Sequence, residues 1–367
     1  MNIQTLFLAG LTLLGSACVH ADDFTLSNDL RAGTRQPIVI AHRGASGYLP
    51  EHTLAAYTTA IYQGADFIEP DLVSTKDGEL IARHDNVLNL TTDVAAHPEF
   101  ADRKATKTID GIAVTGWFSE DFTLAEIKTL RAIERIPDTR PANTRFDRQF
   151  EIPTLQEIID LARAMKRVTG REIGLYPETK HPTYFASLGL SLEEPLVWTL
   201  HRNGYNNPRD KVFIQSFETA NLKRLHRMTR IPLVQLFSAT GQPYDVVARG
   251  GSLTYQDMAT ASGLRDIARY AQGVGPDKTM IIPLTAQGEL NAENATNFVR
   301  DAHLAGLVVH PYTFRAENRF LPMNLRDGQD LNARGHADEE IKVFLKVGID
   351  GFFTDYTDVG LKARAAP

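Results

Sequence analysis

"PIVIAHRGASGYLPEHT", residues 37–53, decides how the chain is read. Four apolar residues, Ile38 to Ala41, have the length and β-branched content of a buried strand, and they stop abruptly at His42-Arg43-Gly44. A loop with Gly47 and Pro50 follows. Leu54, Tyr57 and Ile61 then share a helical face until Gly64 closes the pattern. Strand, polar turn and amphipathic helix make a βα unit whose polar residues stand at the C-terminal end of the strand.

Short apolar runs of the same kind recur: "ADFIEPDLV", "ELIARHD", "REIGLYPETK", "KVFIQSF", "PLVQLFS", "GLVVHPYT" and "GIDGFFTDY". Helical spacing separates several of them, as in Leu155, Ile158, Ile159, Ala162 and Met165 after the Thr154-x-x-Glu157 capping box. Eight strand-like runs interleaved with helices predict an α/β fold, a TIM (β/α)8 barrel. An open doubly wound sheet would want a glycine-rich phosphate loop after its first strand, and none follows here. From Asn86 to about Phe150 the alternation breaks, with one convincing helix starting at Thr123-x-x-Glu126. So long an excursion, after the third strand-like run, reads as a small inserted subdomain. Residues 251–283 give the weakest pattern.

Residues 1–21 contain no Asp, Glu, Lys or Arg, and Leu6 to Leu14 form a short apolar core before Val19-His20-Ala21. They read as a secretory signal peptide, too short to span a membrane, leaving residues 22–367 as the barrel domain. Cys18, the sole cysteine, lies in that leader, so the exported chain has neither a disulfide nor a thiol nucleophile. Lipid anchoring at Cys18 ranks second, because Gly15 stands where such a site normally has leucine. Export without disulfides fits a bacterial periplasm. The net charge of −6 gives no reason to expect nucleic acid or an anionic membrane as partner. The oligomeric state is not encoded legibly.

The strand ends carry the chemistry. They present His42-Arg43, then Glu69 and Asp71, then His84-Asp85, then Glu178 and Lys180. Side chains alternate along a strand, so Glu69 and Asp71 face the same way and repel unless a cation or a proton lies between them. With Glu178 as a third oxygen donor, such a set suits Mg²⁺ or Ca²⁺. Each element alone has a structural reading, Arg43 as the partner of Asp66 or Glu51 among them. Their convergence on successive strand ends points to an active face.

"IAHRGASGYLPEHT", "GADFIEPDLVSTKDGELIARHD", "PETK", "QSF" and "VHPYTFR…GFFTD" together resemble the glycerophosphodiester phosphodiesterase family, in its periplasmic bacterial branch, from about Pro37 to Leu361. The resemblance implies a barrel with a small insertion that hydrolyses glycerophosphodiesters to glycerol 3-phosphate and an alcohol. It implies that His42 and His84 are the acid/base pair. It also implies that Glu69, Asp71 and Glu178 hold a divalent metal, calcium before magnesium. Arg43 and Lys180 then match the phosphate-contacting cations and Glu51 a supporting carboxylate. Gln215 and Phe217 wall the substrate pocket, joined by Tyr312 or Arg315. Two positions depart from the family pattern. Pro70 divides the carboxylate pair and donates no backbone hydrogen bond, which leaves a bulge or altered register open there, and His52 stands where many members have asparagine.

Two other readings compete. A phospholipase C-like or sphingomyelinase D-like enzyme acting on membrane lipid would want an amphipathic anchor, and the sequence has no strong one. A non-catalytic periplasmic binding protein for phosphorylated ligands would need only cations and amides, not two histidines and three carboxylates.

Overall fold

The computed structural model describes residues 36–365. The leader reading of residues 1–21, with Cys18, falls outside them. Strand β1 (Ile38–His42) is followed by the helix Leu54–Gln63. The Thr53 side chain accepts from the Ala56 N–H to cap that helix, and Gly64, at φ 114°, ends it. Tyr57 and Ile61 are buried on its inner face, while Leu54 sits partly exposed at its start. Gly44 makes the tight exit from β1 possible. It adopts φ 87°, and a Cβ there would lie 2.7 Å from the Ala56 carbonyl carbon.

Strands β2 (Phe67–Glu69) and β3 (Asp71–Ser74) are halves of one strand on either side of Pro70. β4 (Leu80–Ala82) folds back antiparallel on β3. The segment after it contains an antiparallel hairpin, β5 (Ala105–Ile109) with β6 (Ile112–Gly116), several 3-10 turns and the short helix Leu124–Ile127 under its Thr123/Glu126 capping box. After the helix Leu155–Thr169, β7 (Gly174–Leu175) and β8 (Glu178–Thr179) flank Tyr176-Pro177. Then come β9 (Ile214–Ser216), β10 (Leu233–Phe237), β11 (Gly273–Pro276), β12 (Val308–Val309) and β13 (Gly351–Thr354), with helices between them.

Parallel neighbours run β13-β1-β2-β7 and β12-β11-β10-β9-β8-β3. The circle closes where Asp350 N–H donates to the Val309 carbonyl and Phe314 N–H to the Phe353 carbonyl, both at 2.9 Å. The result is the expected (β/α)8 barrel, but its eight strands are not the eight apolar runs. "ELIARHD" supplies β4, which lies outside the parallel circle. The eighth barrel strand is β11, in the stretch where the sequence pattern is weakest.

Pro70 introduces no slip. Ile68 pairs with Leu175 before it and Asp71 with Glu178 after it, a constant offset of 107. The Pro70 carbonyl still accepts from Glu178 N–H at 2.9 Å. Proline withholds one donor, and the ladder continues through its carbonyl.

Inside the barrel, Ile40, Phe67, Tyr176, Phe213, Val234 and Phe353 form one packed apolar layer. Side chains repeat every second residue, so the next inward layer is His42, Glu69, Glu178, Gln215, Leu236 and Asp355. An oily floor with a polar layer directly above it follows from the strand period alone.

Candidate active site

His42 is buried at the end of β1, and its Nδ1–H donates to Asp355 Oδ1 at 2.6 Å. A carboxylate only accepts here, so the proton sits on Nδ1 and Nε2 is left facing the cleft. His84 repeats the arrangement, donating from Nδ1 to Asp85 Oδ1 at 2.9 Å. Its Nε2 lies 3.3 Å from the Lys180 ammonium, which donates to it. Burial lowers the His42 pKa to about 4, helped by Arg43 and partly offset by Asp355. Burial, Arg43 and Lys180 lower that of His84 to about 3. Both rings are thus biased toward the neutral form.

Beneath them lie Glu69, Asp71 and Glu178, whose ligand atoms fall within 4.8 Å of one another. Glu69 accepts from Arg43 backbone N–H and from Gln215 Nε2, each at 2.9 Å. Asp71 Oδ2 accepts from His52 Nε2–H at 2.9 Å, while its Oδ1 is buried with no hydrogen-bond partner. Glu178 Oε1 lies 2.9 Å from Lys180 Nζ but outside hydrogen-bonding alignment. Burial and the neighbouring carboxylates push Glu69 well above the usual carboxylate range. Burial raises Glu178 to about 8, with Lys180 opposing and Asp71 adding to it. Asp71 stays low despite burial because His52, Arg43 and Lys180 surround it. Three converging carboxylates, two of them with an orphaned oxygen, and too little positive charge fit a divalent ion, and all-oxygen donors suit a hard one.

His52 acquires a role in this geometry. It is fully enclosed at φ 57°, a left-handed conformation that histidine and asparagine adopt more readily than most residues. Nε2–H faces Asp71, and Nδ1 lies 2.7 Å from the Tyr57 hydroxyl, which also reaches the Glu69 carbonyl at 3.2 Å. The ring thus fixes the rotamer of Asp71.

Arg43, at φ 60°, turns its guanidinium back over the site. Nη1 donates to Glu51 at 3.0 and 3.2 Å, and Nε lies 3.3 Å from Asp71 Oδ2. Glu51 also receives Arg135 Nη1 at 3.1 Å, and Arg135 reaches Asp85 at 2.7 Å. Burial pushes Glu51 up, but Arg43 and Arg135 outweigh it and keep the carboxylate ionised.

The cleft above this layer encloses about 300 Å³ and is lined by His42, Arg43, His84, Glu178, Lys180 and Gln215, with Phe217, Tyr312 and Arg315 on its walls. Glu69 and Asp71 lie under its floor. Glu51 belongs to an adjoining cleft that shares His42, Arg43 and Arg315. Tyr312 donates its hydroxyl to the Phe237 carbonyl at 2.7 Å, so it offers the cleft its ring rather than its oxygen. Arg315 is oriented by its Nε bond to Asp355 at 2.9 Å.

Sequence reasoning missed Asp355, Arg135, Arg140 and Asp277. Asp355 had a signal, since it directly follows the last strand of a barrel. Arg135 and Arg140 come from the irregular segment and had none. Arg140 donates to Asp355 Oδ2 at 2.5 Å and to Glu317 at 2.6 Å, both buried.

A model of the Glycerophosphoryl diester phosphodiesterase family matches residues 42–359. The chain belongs to this family. It is an enzyme that hydrolyses glycerophosphodiesters, and these matches favour neither the lipid-directed nor the binding-protein reading. A glycerophosphodiester phosphodiesterase of Arabidopsis thaliana is 36% identical over 366 residues, covering 95% of this chain and 92% of the relative. One from Haemophilus influenzae is 32% identical over 383 residues, covering 99% and 98%. Among solved structures, an Oleispira antarctica phosphodiesterase aligns over 89% of this chain and 96% of its own, with a TM-score of 0.53 and 21% identity. Another, glycerophosphodiester phosphodiesterase from Agrobacterium tumefaciens, aligns over 89% and 99%, with a TM-score of 0.51 and 18% identity. These structures share the fold. No helix among the described residues is long and apolar enough to cross a membrane.

Proposed function

We propose that this cleft releases sn-glycerol 3-phosphate and a free alcohol by proton exchange between His42 and His84 across the phosphorus. The observation that carries the proposal is the pair of histidines, each held at Nδ1 by a carboxylate and each lining one cleft above three buried acids. The Oleispira antarctica phosphodiesterase, similar in fold, was solved with the product sn-glycerol-3-phosphate, which supports the assignment.

One histidine takes the proton of the glycerol 2-hydroxyl at Nε2, and that oxygen attacks phosphorus. The bond from phosphorus to the departing alcohol breaks, and the other histidine, which takes up a proton at Nε2 from solvent as the substrate binds, gives it to that alcohol. A cyclic glycerol phosphate results, and water opens it with the two roles reversed, restoring both rings. Arriving substrate carries a negative charge, which offsets Arg43 and Lys180 and raises both histidine pKa values toward the working range. Arg43 Nη2 and Lys180 hold the phosphoryl oxygens, while Glu51 and Arg135 fix the Arg43 plane. Gln215 steadies Glu69, and Phe217, Tyr312 and Arg315 enclose the substrate. Glu69, Asp71 and Glu178 would hold the divalent ion, calcium before magnesium because calcium accepts irregular oxygen geometry. Bound there, it neutralises charge on the phosphoryl oxygens.

We assign the same protein to the periplasm on the leader reading of residues 1–21, and residues 86–150 to a small subdomain that supplies Arg135 and Arg140. The reaction is tested with His42→Ala and His84→Ala, each expected to abolish turnover and leave the melting transition in place. Near-normal turnover in either refutes its role. Phosphorus NMR during turnover should show the cyclic phosphate, and good activity on diesters lacking a vicinal hydroxyl would sink that intermediate.

A further inference from the structure

Asp277 directly follows β11 and lines the cleft. Glu178 and Asp277 are the two carboxylates among the lining residues, and they differ in one respect. Glu178 is paired with Lys180, whereas Asp277 forms no ion pair among the described residues. Its Oδ1 caps the short turn that follows, accepting from Thr279 N–H at 2.8 Å and from the Thr279 hydroxyl at 2.5 Å. Its Oδ2 receives no hydrogen bond from any described residue. The adjacent Lys278 does not neutralise it, because that ammonium is drawn to Glu340 at 2.6 Å. Phe217 and Tyr312 line the same cleft, their rings 5.9 Å apart and nearly perpendicular; Lys180 lies 5.5 Å over the Phe217 ring, and the Phe320 ring is covered by Arg315.

An unpaired carboxylate beside aromatic rings is the chemistry that receives an ammonium group: the charge attracts it, and the ring faces add cation–π attraction without demanding hydrogen bonds. Of the four lysines and arginines that line the cleft, Arg43 and Lys180 stand by the acid triad, where the phosphate belongs, while Lys278 is paired with Glu340 and Arg315 with Asp355. The cleft therefore offers positive charge to a phosphate and negative charge to whatever hangs from it. That polarity matches a diester whose alcohol carries an amine or a quaternary ammonium.

We propose that Asp277, with Phe217 and Tyr312, is a specificity-determining site for the cationic headgroup of the departing alcohol. The inference rests on the hydrolytic reading above and adds a substrate class to it: choline- and ethanolamine-type diesters ahead of neutral ones such as the glycerol-headed diester.

The test is Asp277→Asn, which keeps the Oδ1 acceptor for Thr279 and removes only the charge. Released glycerol 3-phosphate is measured on glycerophosphocholine, glycerophosphoethanolamine and glycerophosphoglycerol in saturating Ca²⁺. Wild-type protein should favour the two cationic substrates. The variant should lose about tenfold in kcat/KM on them and stay within about twofold on glycerophosphoglycerol. The wild-type preference should also shrink as salt is raised. Equal loss on all three substrates would assign Asp277 to the shared glycerol arm or to the turn it caps, overturning the proposal. Unchanged kcat/KM on all three would overturn it too. Wild-type turnover of all three without preference would overturn headgroup selection and leave hydrolysis standing, while turnover of none would remove both readings.

Discussion

Replacing Asp355 with asparagine tests how far a residue that touches no substrate governs the proton chemistry. Asp355 is buried, holds His42 Nδ1 through Oδ1 at 2.6 Å, and is itself held through Oδ2 by Arg140 at 2.5 Å and Arg315 at 2.9 Å. An asparagine must turn its carbonyl toward the two arginines, because its NH₂ cannot face donors. The NH₂ then points at His42 and moves the imidazole proton from Nδ1 to Nε2, the wrong tautomer for accepting a proton from substrate. Lost with it is a hydrogen bond to a charged group, worth about 1.5–3 kcal/mol. At about 1.4 kcal/mol per decade that alone lowers kcat roughly 10- to 100-fold, and the tautomer change drives the loss toward or past the upper figure. The charge of Asp355 also raises the His42 pKa against burial and Arg43. Removing it therefore moves the pH limb governed by His42 to lower pH, whichever role the ring plays first. Arg140 retains Glu317 but Arg315 loses its carboxylate, so some stability goes as well, at or below the low end of the roughly 3–5 kcal/mol for a broken buried pair. Steady-state kinetics from pH 5 to 9 beside thermal melting separates the effects. A kcat within about threefold of wild type, with an unmoved pH limb, refutes the orienting role.

Calcium added to chelator-treated protein should raise the melting temperature, because ion binding stabilises the folded state by about 2.7 kcal/mol at a hundred times Kd, or roughly 3–8 °C. Glu178→Gln should abolish that rise, and a melt indifferent to both calcium and magnesium would count against the acid triad. His52→Ala should weaken calcium binding by about 10- to 100-fold, since it frees the Asp71 rotamer. His52→Asn, which tolerates the same backbone conformation, should recover much of that binding. Calorimetric titration decides, and wild-type affinity in the alanine variant would show that Asp71 needs no such support.

Much of the active layer was legible because strand period and barrel geometry act on every residue alike. Once β1 was recognised, His42 had to face inward two residues above Ile40, as Glu69 does above Phe67. Pro70 looked like a threat to that register and was not, because its neighbours pair through its carbonyl. The error over β4 was avoidable. Only Thr75 to Glu79 separate β3 from β4, far short of the dozen or more residues a parallel crossover needs, and Gly78 at φ 84° makes the turn. β11 is a different case. Its Gly273 and Gly275 are surrounded by Val308 and Leu236, and a Cβ on them would lie 2.8 and 2.5 Å from those side chains. The space an apolar alternation would fill is taken by neighbouring strands, so the local sequence shows no strand pattern, and Asp277 after it went unnoticed. Asp355 and Arg140 lie 215 positions apart in the chain, and Arg140 comes from a segment with no period. His42, Glu69, Glu178, Gln215 and Asp355 follow the strand repeat, whereas Arg135 and Arg140 are brought by a segment whose course only the folded chain reveals. A reading from sequence therefore finds the groups that strands carry more readily than the groups that an irregular segment brings to them.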